Sequence, residues 1–380
     1  MHVLPIASGK GGVGKSLLAA NLAVALGELG ERVVLADLDL GGSNLHLILG
    51  VRTPPVGIGS FLTDAAIDFN ELVLQTDYDG LSFIAGDAEI PGLANIAASQ
   101  KRMILSRLGK LEADYLILDL GAGTSYNTLD FFLFAPRGIV ITAPNATSMV
   151  NAYLFLKNAS FRLIQTSLPR KGPGDKYLQS LKKRQEGSLR IYIPQLMSHL
   201  ETIDPEGHNA ARDALRRFQP RLVMNMLDDP KDADKALRLR RSCQQYLDMD
   251  LEHLGIMYRD ELQDVALGSG LPIVRYKPGS VLAQAVHRIA DKLCRTREED
   301  AEPLMWEQVD ATYEEAEVEA SADFENKMDY IEDLLHTGAL TTGDLVETIK
   351  HQQYEINQLK KENALYKSKL VGAIEAGYKA

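Results

Sequence analysis

From Gly9 to Ser16 the chain reads Gly-Lys-Gly-Gly-Val-Gly-Lys-Ser, which satisfies the pattern GxxxxGK[ST]. A run so rich in glycine cannot continue a strand or a helix; it has to turn. The apolar run Val3–Ala7 precedes it, and a helical pattern from Ser16 to Leu29 follows it and ends at Gly30. Strand, glycine loop and helix in this order let successive backbone N–H groups converge on a phosphate, where bulkier residues would block them. The helix N-terminus adds partial positive charge beneath the anion. Gly9, Lys10, Gly11, Gly12, Val13, Gly14, Lys15 and Ser16 are therefore the candidate nucleotide-binding residues. Lys15 is expected on the β- and γ-phosphates and the Ser16 hydroxyl on Mg²⁺. Lys10 is a charge inside the loop that the pattern does not demand.

The remaining pattern places this loop in a larger sheet. Short apolar runs at Arg32–Leu38, Leu81–Ala85, Tyr115–Leu120, Gly138–Thr142 and Arg221–Asn225 alternate with helical-period runs. Continuous apolar strands separated by helices predict an α/β fold, a mostly parallel sheet with helices on both faces. Later core elements are expected near Leu254–Met257, Pro272–Val274 and the helix Val281–Cys294. The turn-rich Pro169–Gly174 and the basic, helix-prone stretch after it suggest a helical insertion over residues 166–220. The nucleotide-binding domain then occupies residues 1–295.

Composition shifts after that point. From Glu298 to Glu319 every charge is negative, which predicts an acidic, disordered linker over residues 296–322 with Trp306, the only tryptophan, inside it. Residues 323–380 form a helical region. It opens with a short amphipathic helix, Phe324–His336, closed by Gly338. Over 345–373, Ile349, Ile356, Asn363 and Leu370 fall at heptad a positions. Leu345, Gln352, Leu359, Tyr366 and Ala373 fall at d. A parallel coiled coil would set Glu355 and Glu362 against Lys360 and Lys367 of a second chain. The alternative is a lone amphipathic helix packed on the body.

Three carboxylates follow predicted parallel strands: Asp37 and Asp39 in Asp37-Leu38-Asp39-Leu40-Gly41-Gly42-Ser43-Asn44, and Asp119 after the apolar run Tyr115–Leu118. Carboxyl ends of parallel strands line the ligand crevice of such sheets. There the carboxylates are placed to orient metal-bound or attacking water. SGKGGVGKS, DLDLGGSNLHLILG and LILDLGAG together resemble the MinD/ParA family of deviant Walker A P-loop ATPases. The likeness is good over Met1–Ser160 and looser over Arg221–Cys294. It implies ATP and Mg²⁺ as ligands and an ATP-sandwich homodimer. Lys10 then reaches the partner's phosphates, Lys15 and Ser16 contact phosphate and Mg²⁺, and Asp39 orients the attacking water. Lys10, Lys15 and Asp39 are the catalytic candidates, and Ser16, Asp37 and Asp119 the metal candidates. Asn225 in RLVMN matches the adenine-recognising asparagine, and Asp260 in YRDE falls where the family contacts the base.

The same resemblance, nearest to the MinD/FlhG-like branch, implies a switch that positions or regulates a flagellum, pole or division site, stimulated by an unidentified protein partner. A DNA-partitioning ATPase and a nucleotide-dependent adaptor with little hydrolysis are the alternatives. The net charge of −11 disfavours nonspecific nucleic-acid binding. Local basic segments, Lys182-Lys183-Arg184 and Lys235–Arg241, keep DNA open as a partner. Lys367–Ala380, with Leu370, Val371, Ile374 and Tyr378, keeps a membrane surface open as well. No apolar run reaches the ~18–20 residues that span a bilayer. The two cysteines, Cys243 and Cys294, form no CxxC. The expected location is the cytoplasm, with peripheral contact at the inner membrane face as a variant.

Overall fold

Alternate residues of the central strands enter different cores. Val34, Ala36, Leu116 and Leu118 belong to one buried cluster, and Val33, Leu35, Tyr115 and Ile117 to the other. A strand sends successive side chains to opposite faces, so a sheet covered on both faces needs these unbroken apolar runs. The structure, a computed structural model, describes residues 1–380 except 41, 43, 53, 55, 87–95, 185–191, 297–305, 338–340 and 376–380. It divides into two units, Met1–Phe324 and Glu325–Ala380.

The strands of the first unit are β1 (His2–Ala7), β2 (Val33–Leu38), β3 (Leu74–Gln75), β4 (Leu81–Ile84), β5 (Tyr115–Leu120), β6 (Ile139–Thr142), β7 (Arg221–Leu227) and β8 (Glu252–Tyr258). They form one eight-stranded sheet in the order β3-β4-β2-β5-β1-β6-β7-β8. Every pairing is parallel except β3 with β4. The short antiparallel β3 was not expected; two residues carry too little periodicity to read. Pro272–Val274, expected as a core element, leads into a one-turn helix, Ile273–Tyr276. Chain order reverses about β1, which pairs with β5 on one side and β6 on the other. Such a switch point opens a crevice at the carboxyl ends of the strands, and the loop after β1 lies there.

Between β6 and β7 the chain forms the helices Ala146–Ser167, Pro173–Arg184, Ile193–Ile203 and Pro205–Arg217. Leu178, Leu196, Leu200 and Ala211 join the same buried cluster as the sheet face. Asp204 ties the helices together, accepting from Gly207 N at 3.0 Å and Gly174 N at 3.1 Å.

The acidic segment departs from the disordered linker that its composition suggested. Trp306–His336 is a single helix, so the helix expected from Phe324 begins eighteen residues earlier in the chain, at Trp306. Val309, Tyr313, Ala316 and Ala320 are buried, at a spacing that puts them on one helical stripe. They lie along β8, the last strand of the sheet. The Tyr313 hydroxyl donates to Leu251 O at 2.7 Å, His253 N donates to Thr312 Oγ1 at 3.1 Å, and the Tyr258 hydroxyl donates to Ala320 O at 2.8 Å. The helix thereby pairs one N–H of the edge strand, that of His253. The negative charges meet cations of the body: Asp310 with Arg240 at 2.6 Å, Glu319 with Lys292 at 2.8 Å, and Asp323 with Arg288. Charge neutralised at a surface does not force a segment to stay unfolded, and here it helps to dock the helix. Glu298, Glu299, Asp300 and Glu302 lie outside the described residues, as does the side chain of Trp306.

In the second unit Thr342–Glu375 is one helix. Ile349, Ile356, Leu359 and Tyr366 of the heptad pattern are exposed on it. The side chains of Leu345, Gln352, Glu355, Leu370, Val371, Ala373 and Ile374, and those of Lys182, Lys183 and Arg184, lie outside the described residues, as does Tyr378. Among the described residues no helix is long and apolar enough to cross a membrane.

Candidate functional site

The loop after β1 turns because Gly12 and Gly14 take left-handed backbone angles, φ 79° and 88°. These are conformations that side chains other than glycine rarely tolerate. Packing adds a second demand at Gly9, where an added Cβ would lie 2.0 Å from the backbone oxygen of Asn151. The loop then enters the helix Lys15–Glu28, whose N-cap is Gly14 and which has no side-chain cap. Its first N–H groups are left for a ligand, as an anion site requires. Ser8 Oγ donates to Lys10 O at 2.9 Å and Gly123 N donates to Ser8 O at 3.0 Å. The loop is thus bonded to the segment that follows β5.

Of the three expected carboxylates, Asp39 and Asp119 come together at Lys15, and Asp37 lies beside Asp119 on the next strand. Asp37 and Asp119 are register partners on β2 and β5, and both are buried. Lys15 Nζ is 2.5 Å from Asp119 Oδ1, 4.0 Å from Asp39 Oδ2 and 3.3 Å from Ser16 Oγ. Asp37 Oδ1 accepts from Asp39 N at 3.0 Å and Asp37 Oδ2 from Leu45 N at 3.4 Å. Asp37 therefore orders the backbone carrying Asp39, whose side chain is more open. Burial pushes the Asp119 carboxyl above the ordinary carboxylate range, and Lys15 and Ser16 pull it back only in part. Asp39 adjoins the segment after β5, since a Cβ on Gly121 would lie 3.1 Å from Asp39 Oδ1.

Among the described residues no group of three or more His, Cys, Asp or Glu side chains is arranged to hold a metal ion. The donors at hand, a hydroxyl and two carboxylates, are hard oxygens. Such a set fits Mg²⁺, which keeps waters and takes further ligands from a nucleotide's phosphates, and not a cation needing an all-protein cage.

Lys10 is exposed on the loop. Asn225, at the end of β7, is buried, and its Nδ2 donates to Val13 O at 2.9 Å. Its Oδ1 accepts from Met226 N at 2.8 Å. It braces the phosphate loop and has a donor and a lone pair to spare. Asp260 follows β8 and accepts from Leu262 N at 3.0 Å at the start of a short helix. The basic segment Lys235–Arg241 is divided. Arg238 and Arg241 are exposed, but Arg240 is buried between Asp250 and Asp310, and Lys235 pairs with Asp232 at 2.6 Å. Burial pushes the Cys243 thiol up to about 12.

The ParA family model, described as an NUBPL iron-transfer P-loop NTPase, matches residues 1–161. Residues 1–161 belong to the MinD/ParA family of P-loop NTPases. The flagellum site-determining protein YlxH of Helicobacter pylori is 32% identical over 156 residues, covering 40% of this chain and 52% of that protein. The septum site-determining protein MinD of Bacillus subtilis is 32% identical over 152 residues, covering 40% and 56%. The chain spans about half the length of the curated relatives it matches. A structure of Pyrococcus horikoshii MinD complexed with Mg-ADP aligns with a TM-score of 0.52 at 21% identity, over 80% of this chain and 99% of that one. The MinD-like fold therefore extends well beyond the region of clear sequence likeness, through β7 and β8.

Proposed function

We propose that this MinD/ParA protein is an ATP-dependent dimeric switch that hydrolyses ATP with Mg²⁺ and positions or regulates a cellular structure such as a flagellum, pole or division site. The observation that carries the proposal is the convergence of Lys15, Asp39 and Asp119 at the phosphate loop. The relatives whose names refer to flagellum and septum sites support the cellular role.

The chemistry follows from these side chains. A bound triphosphate competes with Asp119 for the Lys15 ammonium, whose three donors it can share, and so loosens that pair. Asp119 is then free to take part in a metal's oxygen shell with Ser16 and Asp37. Magnesium, when bound, neutralises charge on the β- and γ-phosphate oxygens. Lys15 stabilises the same oxygens as charge shifts toward the leaving group. Asp39, more open than its neighbours, orients the attacking water. Asn225 braces the loop and, with Asp260, faces the adenine. Lys10 acts across a homodimer on the partner's phosphates, so hydrolysis depends on dimerisation and serves as a timer. The 345–373 heptads supply a second, nucleotide-independent contact between copies.

ATP affinity and phosphate release are to be measured for the full chain and for Lys15→Ala, Lys10→Ala and Asp39→Ala. Lys15→Ala loses binding, whereas Lys10→Ala and Asp39→Ala bind ATP and lose turnover. Tight ATP binding by Lys15→Ala, or unchanged turnover in Lys10→Ala, refutes the assignment concerned.

A further inference from the structure

The segment that runs from Asp119 along the phosphate site ends in a short helix, Tyr126–Phe132. Seven residues are too few to hold a helix in water, so tertiary contacts must do it. On its inner side Leu129, Phe131 and Phe132 are buried. Beyond them lies a charged cluster that the nucleotide chemistry above does not use. Asp130 receives Arg162 in a bidentate pair, Nε to Oδ1 at 2.6 Å and Nη2 to Oδ2 at 2.9 Å. Its Oδ2 also receives Lys101 Nζ at 2.5 Å, and the same Nζ donates to Asn127 Oδ1 at 3.1 Å. The Arg162 guanidinium lies 4.9 Å from the ring centroid of Tyr126, the first residue of the helix. Lys101 is buried although it carries a charge. The helices Ala98–Leu108, Tyr126–Phe132 and Ala146–Ser167 are thus joined through one carboxylate. Burial alone would raise the Asp130 carboxyl, but the hydrogen bonds from Arg162 and Lys101 outweigh it and hold it below the ordinary range.

The other end of the helix is joined to the segment Gly121–Ser125, which borders the site. Ser125 caps it, accepting from Thr128 N at 3.2 Å. A Cβ on Gly121 would lie 3.9 Å from Thr128 Oγ1 and 3.1 Å from Asp39 Oδ1. Gly123 is pinned to Ser8 O at 3.0 Å in a left-handed conformation, φ 93°. Residues 121–125 lead directly into this helix, so its displacement is passed along them to Gly121, beside the carboxylate proposed to place the water. Close-packed elements transmit such shifts, and a misplacement of about 1 Å at a reacting group costs on the order of 100-fold.

Resting on the proposed ATPase function, we infer that Asp130 is a positioning residue for hydrolysis: clamped by Arg162 and Lys101, it fixes the helix that sets Gly121–Ser125 against Asp39 and the phosphate loop. It touches neither nucleotide nor water. Asp130→Asn keeps the shape and the apolar side of the helix but removes the charge, leaving Lys101 and Arg162 facing each other.

The test compares the full-length wild type with Asp130→Asn, Asp130→Glu and Arg162→Lys. ATP turnover is measured with its KM, and amide hydrogen exchange is measured over residues 119–132. Asp130→Asn is expected to lower kcat about tenfold or more with KM changed less than about twofold. Exchange should quicken at 121–132 and stay unchanged in β1 and the phosphate loop. Asp130→Glu, which keeps the charge, should recover most of kcat, and Arg162→Lys, which loses the bidentate pair, should fall between. Unchanged exchange at 121–132 in Asp130→Asn overturns the inference, as does unchanged kcat or an equal change in KM. If the wild type releases no phosphate, the ATPase proposal fails, while the exchange arm still decides whether the clamp fixes this segment.

Discussion

The Lys15–Asp119 pair offers a direct measure of how the site is held before nucleotide enters. The two side chains are 8% and 1% exposed and 2.5 Å apart. Removing one member of a buried pair strands the other without its counter-charge, at a cost of about 3–5 kcal/mol. Removing both leaves no stranded charge. Lys15→Met and Asp119→Asn are therefore expected to destabilise singly by about 3–5 kcal/mol, while the double variant loses much less than their sum. The coupling should be about 2–3 kcal/mol. The pH dependence supplies an independent sign. Lys15 is what holds the raised Asp119 carboxyl down, so in Lys15→Met its folded pKa rises further above the unfolded value. The folded state then keeps a proton that the unfolded chain releases, and stability falls as pH rises through that window. Urea unfolding followed by circular dichroism, without nucleotide, between about pH 5 and pH 8 measures both effects. Additive single effects, with coupling below about 0.5 kcal/mol, would refute the pairing.

Three further outcomes follow from particular contacts. Gly14→Ala forces φ 88° on a residue with a Cβ and drives that atom to 2.1 Å from Asn225 Nδ2; ATP affinity measured by calorimetry should fall by about tenfold or more, and unchanged affinity contradicts the loop geometry. Tyr313→Phe leaves the buried Leu251 carbonyl without its 2.7 Å donor and should cost about 1–3 kcal/mol in urea unfolding, whereas a loss below about 0.5 kcal/mol would mean that the acidic helix is not docked on β8. Burial, reinforced by Lys292, pushes His253 down to about 3; below about pH 6.5 the unfolded chain binds a proton that the folded one refuses, so stability falls as pH drops toward 3 by at most about 1.4 kcal/mol per unit. His253→Leu should flatten that slope in acid unfolding curves, and an unchanged slope would place the effect elsewhere.

The phosphate loop was legible because its chemistry is local: glycine angles, helix start and cation all fall within Gly9–Ser16. The central strands were legible because a two-faced core requires unbroken apolar runs such as Val33–Leu35 and Tyr115–Leu118. Contacts between distant residues were not. Nothing near Lys15 in sequence announces that its cation meets Asp119, 104 positions away. In sequence Arg240 belongs to a basic run, and only the fold brings Asp250 and Asp310 around it. The acidic helix shows in the period of its apolar residues and not in its composition. Val309, Tyr313, Ala316 and Ala320 carry helical spacing within the acidic run, and the cations that neutralise it, Arg240, Arg288 and Lys292, lie elsewhere in the chain. Asp130 was invisible for a similar reason, since its partners sit on two other helices.

Phosphate release by the full chain, measured with Mg-ATP over a range of protein concentrations beside Asp39→Ala, tests the central claim most directly. The wild type should release phosphate, with a rate per chain that rises with protein concentration only until the copies, held also through the 345–373 heptads, are paired. Asp39→Ala should bind ATP equally well and release almost none. Equal phosphate release by the two proteins, or none by either with ATP bound, would contradict it.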